Sequence, residues 1–222
     1  MPTKHLSIKK LSATPAEAKD VAALFDSLHL DYSEPLFPNW GDVYPYVPEA
    51  QFRIAYSDDA LVLNYRVKEN AIRAVAETDN GHVWEDSCFE FFFSPFDDGL
   101  YYNFECNCAA RLLIGCGSGR DGRQLASPEL VGTVKRWSSN GNEPFDTTIV
   151  GDSFTWNMSL IVPFKAFFKH DIKSLNGIVA KGNFYKCGDK LPQPHFLSWS
   201  PVRVEKPDFH RPEFFGELLF NL

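Results

Sequence analysis

The chain has 222 residues, 44% hydrophobic and 15% aromatic with twenty Phe, and 23% charged, which is enough apolar material for a packed interior. A formal net charge of −7, with no cluster of Lys and Arg, argues against nucleic acid as the main partner, because phosphate binding needs grouped cations that release counterions. The longest apolar runs fall well short of the ~20 residues a membrane helix requires, so no membrane partner is expected. The length fits one large β domain over residues 1–222, with residues 1–50 forming an N-terminal helix and packed-loop extension. MPTKHLSIKKLSATPAEA lacks the continuous apolar core of a secretory signal. The five Cys are an odd count, and Cys106 and Cys108 are too constrained on one strand face to bond each other. As written the chain reads as cytoplasmic, and as periplasmic or secreted if a leader has been removed.

In chain order, Thr14–Leu30 places Val21, Leu24, Phe25 and Leu28 at helical spacing behind a Thr14-Pro15 start, and predicts a short helix. Asp31–Pro48, rich in Pro and aromatics, has neither period and reads as a long packed loop. Gln51–Tyr56 and Ala60–Val67 alternate as strands around a Ser57-Asp58-Asp59 turn, and Ala71–Glu77 reads as a further short strand. Gly115–Gly122 is glycine-rich but precedes no helix, so it reads as a flexible loop and not as a phosphate cradle. Thr133–Trp137, Asp146–Val150, Phe154–Val162, Lys181–Cys187 and Gly216–Phe220 complete the strands, with one helical turn opened by Pro163. Many short strands with turn residues between them predict an all-β sandwich or barrel.

The segment Val83–Arg111 carries the most chemistry. Read at a period of two, Trp84, Asp86, Cys88, Glu90 and Phe92 share one face of a first strand, and Phe89, Phe91 and Phe93 the other. After the Ser94–Gly99 turn, Tyr102, Phe104, Cys106 and Cys108 oppose Tyr101, Asn103, Glu105 and Asn107. One face is apolar and the other polar, and hairpin register decides whether the two polar faces coincide. Cys106-x-Cys108 lacks a second ligand pair at zinc spacing, and no His sits next to a strand Cys to make a nucleophile pair.

GHVWEDSCFEFFFSP, YYNFECN, NFYKCGD, PHFLSW and FHRPEFFGELLF together resemble the family 9 carbohydrate-binding modules, in particular the stand-alone family-9-like subgroup of the DOMON-like sandwiches. The resemblance runs from about Gln51 to the C-terminus, and is most specific in Trp-x-Asp-Ser-x-x-Glu at Trp84–Glu90 and in the closing Phe-Gly strand. It implies a jelly-roll-like antiparallel β-sandwich, with a short N-terminal helix and long loops, that binds sugars without cleaving them. Trp84 would be one ring of an aromatic clamp, Trp199 the other, and Glu90 the acidic hydrogen-bonding position. The sequence departs from the pattern at Glu105, where the family carries a sugar-binding Arg; Arg111 and Arg203 are the cations available to replace it. Asn107, Asn183, Tyr185 and His210 complete the candidate ligand-binding set. No cofactor is expected: family members hold structural calcium, but the Asp97-Asp98-Gly99 turn lacks spaced oxygen ligands.

The implied function is binding of a mono- or oligosaccharide, such as a cellulose- or xylan-type chain end, as an accessory to polysaccharide degradation and with a glycoside hydrolase as partner. Two alternatives stay open. One is a protein-interaction domain whose sugar site has decayed. The other is a glycoside hydrolase using two of Glu85, Asp86, Glu90 and Glu105.

Overall fold

The computed structural model describes residues 3–145 and 147–220. In chain order the strands are β1 (His5–Lys10), β2 (Phe37–Pro38), β3 (Glu49–Tyr56), β4 (Ala60–Ile72), β5 (Cys88–Ser94), β6 (Tyr101–Asn107) and β7 (Leu112–Gly117). They continue as β8 (Gln124–Leu125), β9 (Lys135–Ser138), β10 (Ile149–Pro163), β11 (Val179–Cys187), β12 (Phe196–Ser198) and β13 (Gly216–Phe220). The helices are α1 (Val21–Ser27) and the single-turn α2 (Pro128–Val131). Among the described residues no helix is long and apolar enough to cross a membrane.

Two sheets face each other. The first runs β8-β7-β6-β5-β11-β13-β1, the second β1-β3-β4-β10-β9, and β1 belongs to both. His5–Ile8 pairs with β13, and Lys9 and Lys10 pair with β3, so one six-residue strand joins the two layers. Both of these pairings are parallel, whereas the other pairings are antiparallel. The alternation read from Val83–Arg111 explains the layering: Phe89, Phe91, Phe93, Tyr102, Phe104 and Cys106 all point between the sheets. They meet Phe52, Leu63, Tyr65, Trp156, Met158 and Leu160 of the second sheet. Phe52 stacks on Phe184 at 3.5 Å between centroids, and Tyr65 on Phe89 at 4.2 Å.

Each sheet also has a covered outer face. Val21 and Phe25 of α1 seal Ala55, Val62 and Ile161 on the second sheet, which accounts for the apolar stripe at helical spacing. On the first sheet the cover is irregular chain. Trp40, Val202, Phe209 and Phe215 pack over Cys88, Phe92, Tyr101 and Tyr185.

Several boundaries move from the sequence reading. Residues 71–72 end the long β4, and residues 73–77 are not a separate strand. The backbone N–H groups of Val75 and Ala76 instead bond the buried Asp86 carboxylate at 3.0 and 3.1 Å. β1, β2, β7, β8 and β12 lie outside the expected strands, β7 runs into the glycine-rich stretch, and the single strand β10 replaces the two expected over Asp146–Val150 and Phe154–Val162. Asp146, the expected start of one strand, lies outside the described residues.

Candidate functional site

On the outer face of the first sheet a cavity of about 490 Å³ opens between the strands and the irregular cover. Its floor comes from β5 and β6. The register pairs Glu90 with Glu105 and Phe92 with Asn103, so the polar faces of the hairpin coincide and two carboxylates stand directly opposite each other. Tyr44, Trp84, Phe196 and Phe209 form aromatic walls. Arg120 and Arg123 enter from the β7–β8 turn, Asp189 from just beyond β11, and Asp208 and His210 from the cover.

The floor is nearly dry: Glu90 is 2% and Glu105 5% exposed. Asn103 Nδ2 donates to Glu105 Oε1 at 2.7 Å, and the Cys187 thiol donates to Glu90 Oε1 at 3.1 Å. Glu105 Oε2 is buried without a protein partner. Burial, and then the neighbouring Glu105 charge, push the Glu90 carboxyl well above the usual range. Burial raises Glu105 to about 7 against the help of Asn103 and Arg123, and burial followed by repulsion from Glu85 raises Asp189 to about 6. His210 is driven down to about 3 by burial and then by Arg123 and Arg120, so its ring is neutral, and Nδ1 lies 2.9 Å from the Tyr101 hydroxyl.

Arg123, the last residue of the β7–β8 turn, is held against β6. It donates to Asn103 Oδ1 through Nη2 and Nε at 2.7 and 3.0 Å, to Gly119 O at 2.8 Å and to Tyr101 O at 2.9 Å, with its guanidinium 4.3 Å over the Tyr101 ring. Gly115 and Gly117 make this possible. A Cβ on Gly115 would stand 2.6 Å from Asn103 Oδ1, and one on Gly117 would stand 3.2 Å from Arg123 Cγ. The first part of the glycine-rich stretch, Gly115–Gly117, is therefore the end of a strand thinned to let a guanidinium lie along it, while residues 118–122 form the turn to β8, so the loop expected over Gly115–Gly122 holds only for its second part.

Of the residues singled out from the sequence, Trp84, Glu90, Glu105 and His210 line the cavity. Trp84 does so from a 3-10 turn, Val83–Glu85, before β5, and not from the strand face itself. The other five do not line it. Asn107 accepts from Ala109 N and Arg111 N and donates to Asp86, so it shapes the turn after β6. Arg111 donates to Glu77 O outside the cavity. Asn183 clasps Ser200 through Ser200 N and Ser200 O. Tyr185 donates to Phe209 O and stacks on the Phe209 ring at 4.1 Å, supporting a wall without lining it. Trp199 faces the inter-sheet core beside Phe52 and Phe184, with its ring against Gly216, where a Cβ would stand 2.4 Å from it. That corrects its reading as a second cavity ring and explains the Gly of the closing strand.

The cations of the cavity are Arg120 and Arg123, not Arg111 or Arg203; Arg203 is exposed in the cover segment. Sequence reasoning also missed Tyr44 and Asp189. Asp189 could have been found by continuing the Tyr185, Cys187 alternation one step past the end of β11. Nothing local marks Tyr44 or Arg120, which reach the site through the path of their loops.

The carboxylates of the Asp97-Asp98-Gly99 turn have protein partners. Asp98 already bonds Leu100 N and pairs with His170 at 2.7 Å, and Asp97 faces Lys181. Among the described residues the donor group close enough to share one ion is Cys88, Glu90 and Cys187, whose two thiols are the wrong chemistry for calcium.

A two-sheet sandwich with an aromatic-walled, carboxylate-floored cavity on one outer face is the architecture of a ligand-binding module. The chain belongs to carbohydrate-binding family 9, whose sequence profile matches residues 19–220. A crystal structure from Bacteroides uniformis ATCC 8492, provisionally designated a carbohydrate-binding protein, is 51% identical, with a TM-score of 0.94 over 99% of this chain and 100% of that one. The fold also matches a family 9 module of Caldicellulosiruptor kristjanssonii at 11% identity. Its cellotriose complex gives a TM-score of 0.58 over 98% of this chain and 94% of that one. Its glucose complex gives 0.54 over 98% and 95%. No curated protein matches.

Proposed function

We propose that this carbohydrate-binding module holds a mono- or short oligosaccharide in the cavity over β5 and β6, without cleaving it, as an accessory to polysaccharide degradation beside a glycoside hydrolase. The observation that carries the reading is one concave site combining aromatic rings with carboxylate, amide and guanidinium groups. A pyranose presents C–H patches on its faces and hydroxyls around its edge. Trp84 supplies a plate for the face, where burial contributes ~25 cal/mol per Å² of apolar surface, and Tyr44 takes the place proposed for a second ring. Glu90, Glu105 and Asn103 serve the hydroxyls, each bond netting only ~0.5–1.5 kcal/mol because water is displaced. Arg123 stands on the cavity wall beside Glu105 and fills the cationic position that the departure at Glu105 left open. The Caldicellulosiruptor module was crystallised with cellotriose and with glucose, which supports a saccharide ligand. The five Cys are buried free thiols, which supports a reducing compartment.

Calorimetric titration with glucose, xylose, cellobiose and xylobiose tests this reading. Saturable binding to at least one of them, lost in Trp84→Ala with the fold intact by circular dichroism, is the expected result. Flat titrations across the panel, or binding unchanged in the variant, would remove the cavity as the sugar site.

One observation favours a second reading. Glu90 and Glu105 face each other across the hairpin with both carboxyls raised by burial, and a glycosidase needs two facing carboxyl groups of which one is protonated to act as the acid. Reducing sugar released from xylan or cellulose by the wild type and not by Glu90→Gln would establish it.

A further inference from the structure

The charges in the cavity do not balance. Four carboxylates, Glu90, Glu105, Asp189 and Asp208, line it with two guanidiniums, Arg120 and Arg123. Arg120 is taken by Asp208 at 2.7 Å, and Arg123 spends its hydrogens on Asn103 Oδ1 and backbone carbonyls. Among the described residues neither makes an ion pair with Glu90, Glu105 or Asp189. His210 offers no positive charge. Lys190, near Asp189 in the chain, pairs with Glu85, and the buried Lys186 pairs with Glu69. Glu90 and Glu105 thus share the nearly dry floor and Asp189 stands exposed at the rim, none of them in an ion pair among the described residues, and Glu105 Oε2 has no hydrogen-bond partner. Burial and mutual repulsion raise these carboxyls so that they hold protons more readily; a cationic ligand would stabilise their charged forms instead.

Glu90, Glu105 and Asp189 do not bring three oxygens within 4.8 Å of one another, so their charge is spread over a volume larger than one coordination shell. Their neighbours are aromatic rings, Trp84 and Tyr44, which attract an organic ammonium through their faces as well as sugar C–H groups.

Building on the saccharide reading above, we propose that the cavity selects an amino sugar, a pyranose bearing a free protonated amine, with the ammonium against Glu90, Glu105 and Asp189 and the ring face on Trp84. A neutral sugar leaves the carboxylates uncompensated. An N-acetylated sugar has the same ring but no charge, and is the control that separates charge from shape.

Calorimetry with glucosamine, galactosamine, their N-acetyl forms, glucose and galactose tests the inference, in slightly acidic buffers of differing ionisation heat. At least one free amino sugar should bind about tenfold or more tightly than its neutral counterparts, the ratio that one unit of pKa-equivalent interaction supplies. Binding should also release protons, as the ammonium returns Glu105 to its carboxylate form. Glu105→Gln, which removes the carboxyl that would ionise on binding and keeps the shape, should reduce the preference for the amine, and Asp189→Asn at the cavity rim should shift it the same way. Neutral sugars that bind as tightly as the amines, without proton release, would overturn the amino-sugar inference and leave the saccharide site standing. Titrations flat for every sugar in both panels would remove the site and the inference together.

Discussion

Glu105 shows how burial turns one side chain into a pH-sensitive element. Its folded-state pKa of about 7 lies above its ordinary value, so between pH ~4.5 and ~7 the folded protein holds a proton that the unfolded chain has released. Stability from this group is therefore full below the unfolded value and is lost as pH rises through the folded one. Glu90, raised by the same burial and by its partner's charge, acts in the same direction. Glu105→Gln should remove part of this slope: relative to wild type, its unfolding free energy should rise as pH is taken from 5 to 8, by on the order of 2–3 kcal/mol at most, with its melting temperature rising in the same direction. Parallel melting curves for the two proteins across that range would contradict the assignment. The neighbouring Asp86 has a different task. Its carboxylate bonds Val75 N, Ala76 N and Asn107 Nδ2, which pins the 73–77 segment to the turn after β6. Within the Trp-x-Asp-Ser-x-x-Glu pattern, Trp84 and Glu90 face the cavity while the Asp holds the chain that presents them.

Among the elements, β7 is where local composition misleads. Gly115 sits inside a strand, where glycine normally weakens pairing, because the space above it is occupied by the Asn103 amide and the Arg123 guanidinium. Gly115→Ala places a Cβ 2.6 Å from Asn103 Oδ1, so Asn103 must shift away from both Arg123 and Glu105. We expect a loss of about 1–3 kcal/mol in stability, as for other overpacked sites, together with weaker sugar binding, both read from one thermal-shift series with and without ligand. An alanine variant as stable as wild type and binding equally well would show that the strand tolerates the methyl group. The β5–β6 hairpin was legible because its information is local: a period of two and a Ser-Pro…Gly turn assign every side chain to a face. β1 was not legible, because it is a short polar strand whose two parallel partners, β13 and β3, lie far along the chain.

At the scale of the molecule, the two sheets are joined through a buried ionic cluster as well as the aromatic core. Lys186 of β11 is fully buried, with its Nζ 2.9 Å from Glu69 Oε2 of β4, 2.7 Å from His195 Nε2 and 2.8 Å from Cys187 O. Trp156 Nε1 donates to the other Glu69 oxygen at 2.7 Å, and His195 Nδ1 lies 3.0 Å from Gln193 O. Burial, and then the Lys186 charge, hold His195 well below its usual pKa, so it remains the neutral acceptor of this arrangement. Lys186→Met should cost about 3–5 kcal/mol in urea denaturation by leaving Glu69 charged and alone, and Lys186→Met with Glu69→Gln should recover much of it, since Gln keeps an acceptor for Trp156. Equal losses in the single and double variants would mean that the pair contributes packing and not charge.

The sequence by itself determined the β-rich class, a short helix within Thr14–Leu30 that the structure narrows to Val21–Ser27, the apolar and polar sides of the central hairpin, and the resemblance that led to a sugar-binding family. All of these are written in residues close together along the chain, as periods, turns and motifs. Only the tertiary structure decided that Trp199 belongs to the core, that Arg120, Arg123, Asp189 and Tyr44 reach the cavity, and that Asn107, Asn183 and Tyr185 hold its frame. Those outcomes depend on which distant loops close over the outer face of a sheet, and alternation along one strand says which side a residue takes without saying what will cover it.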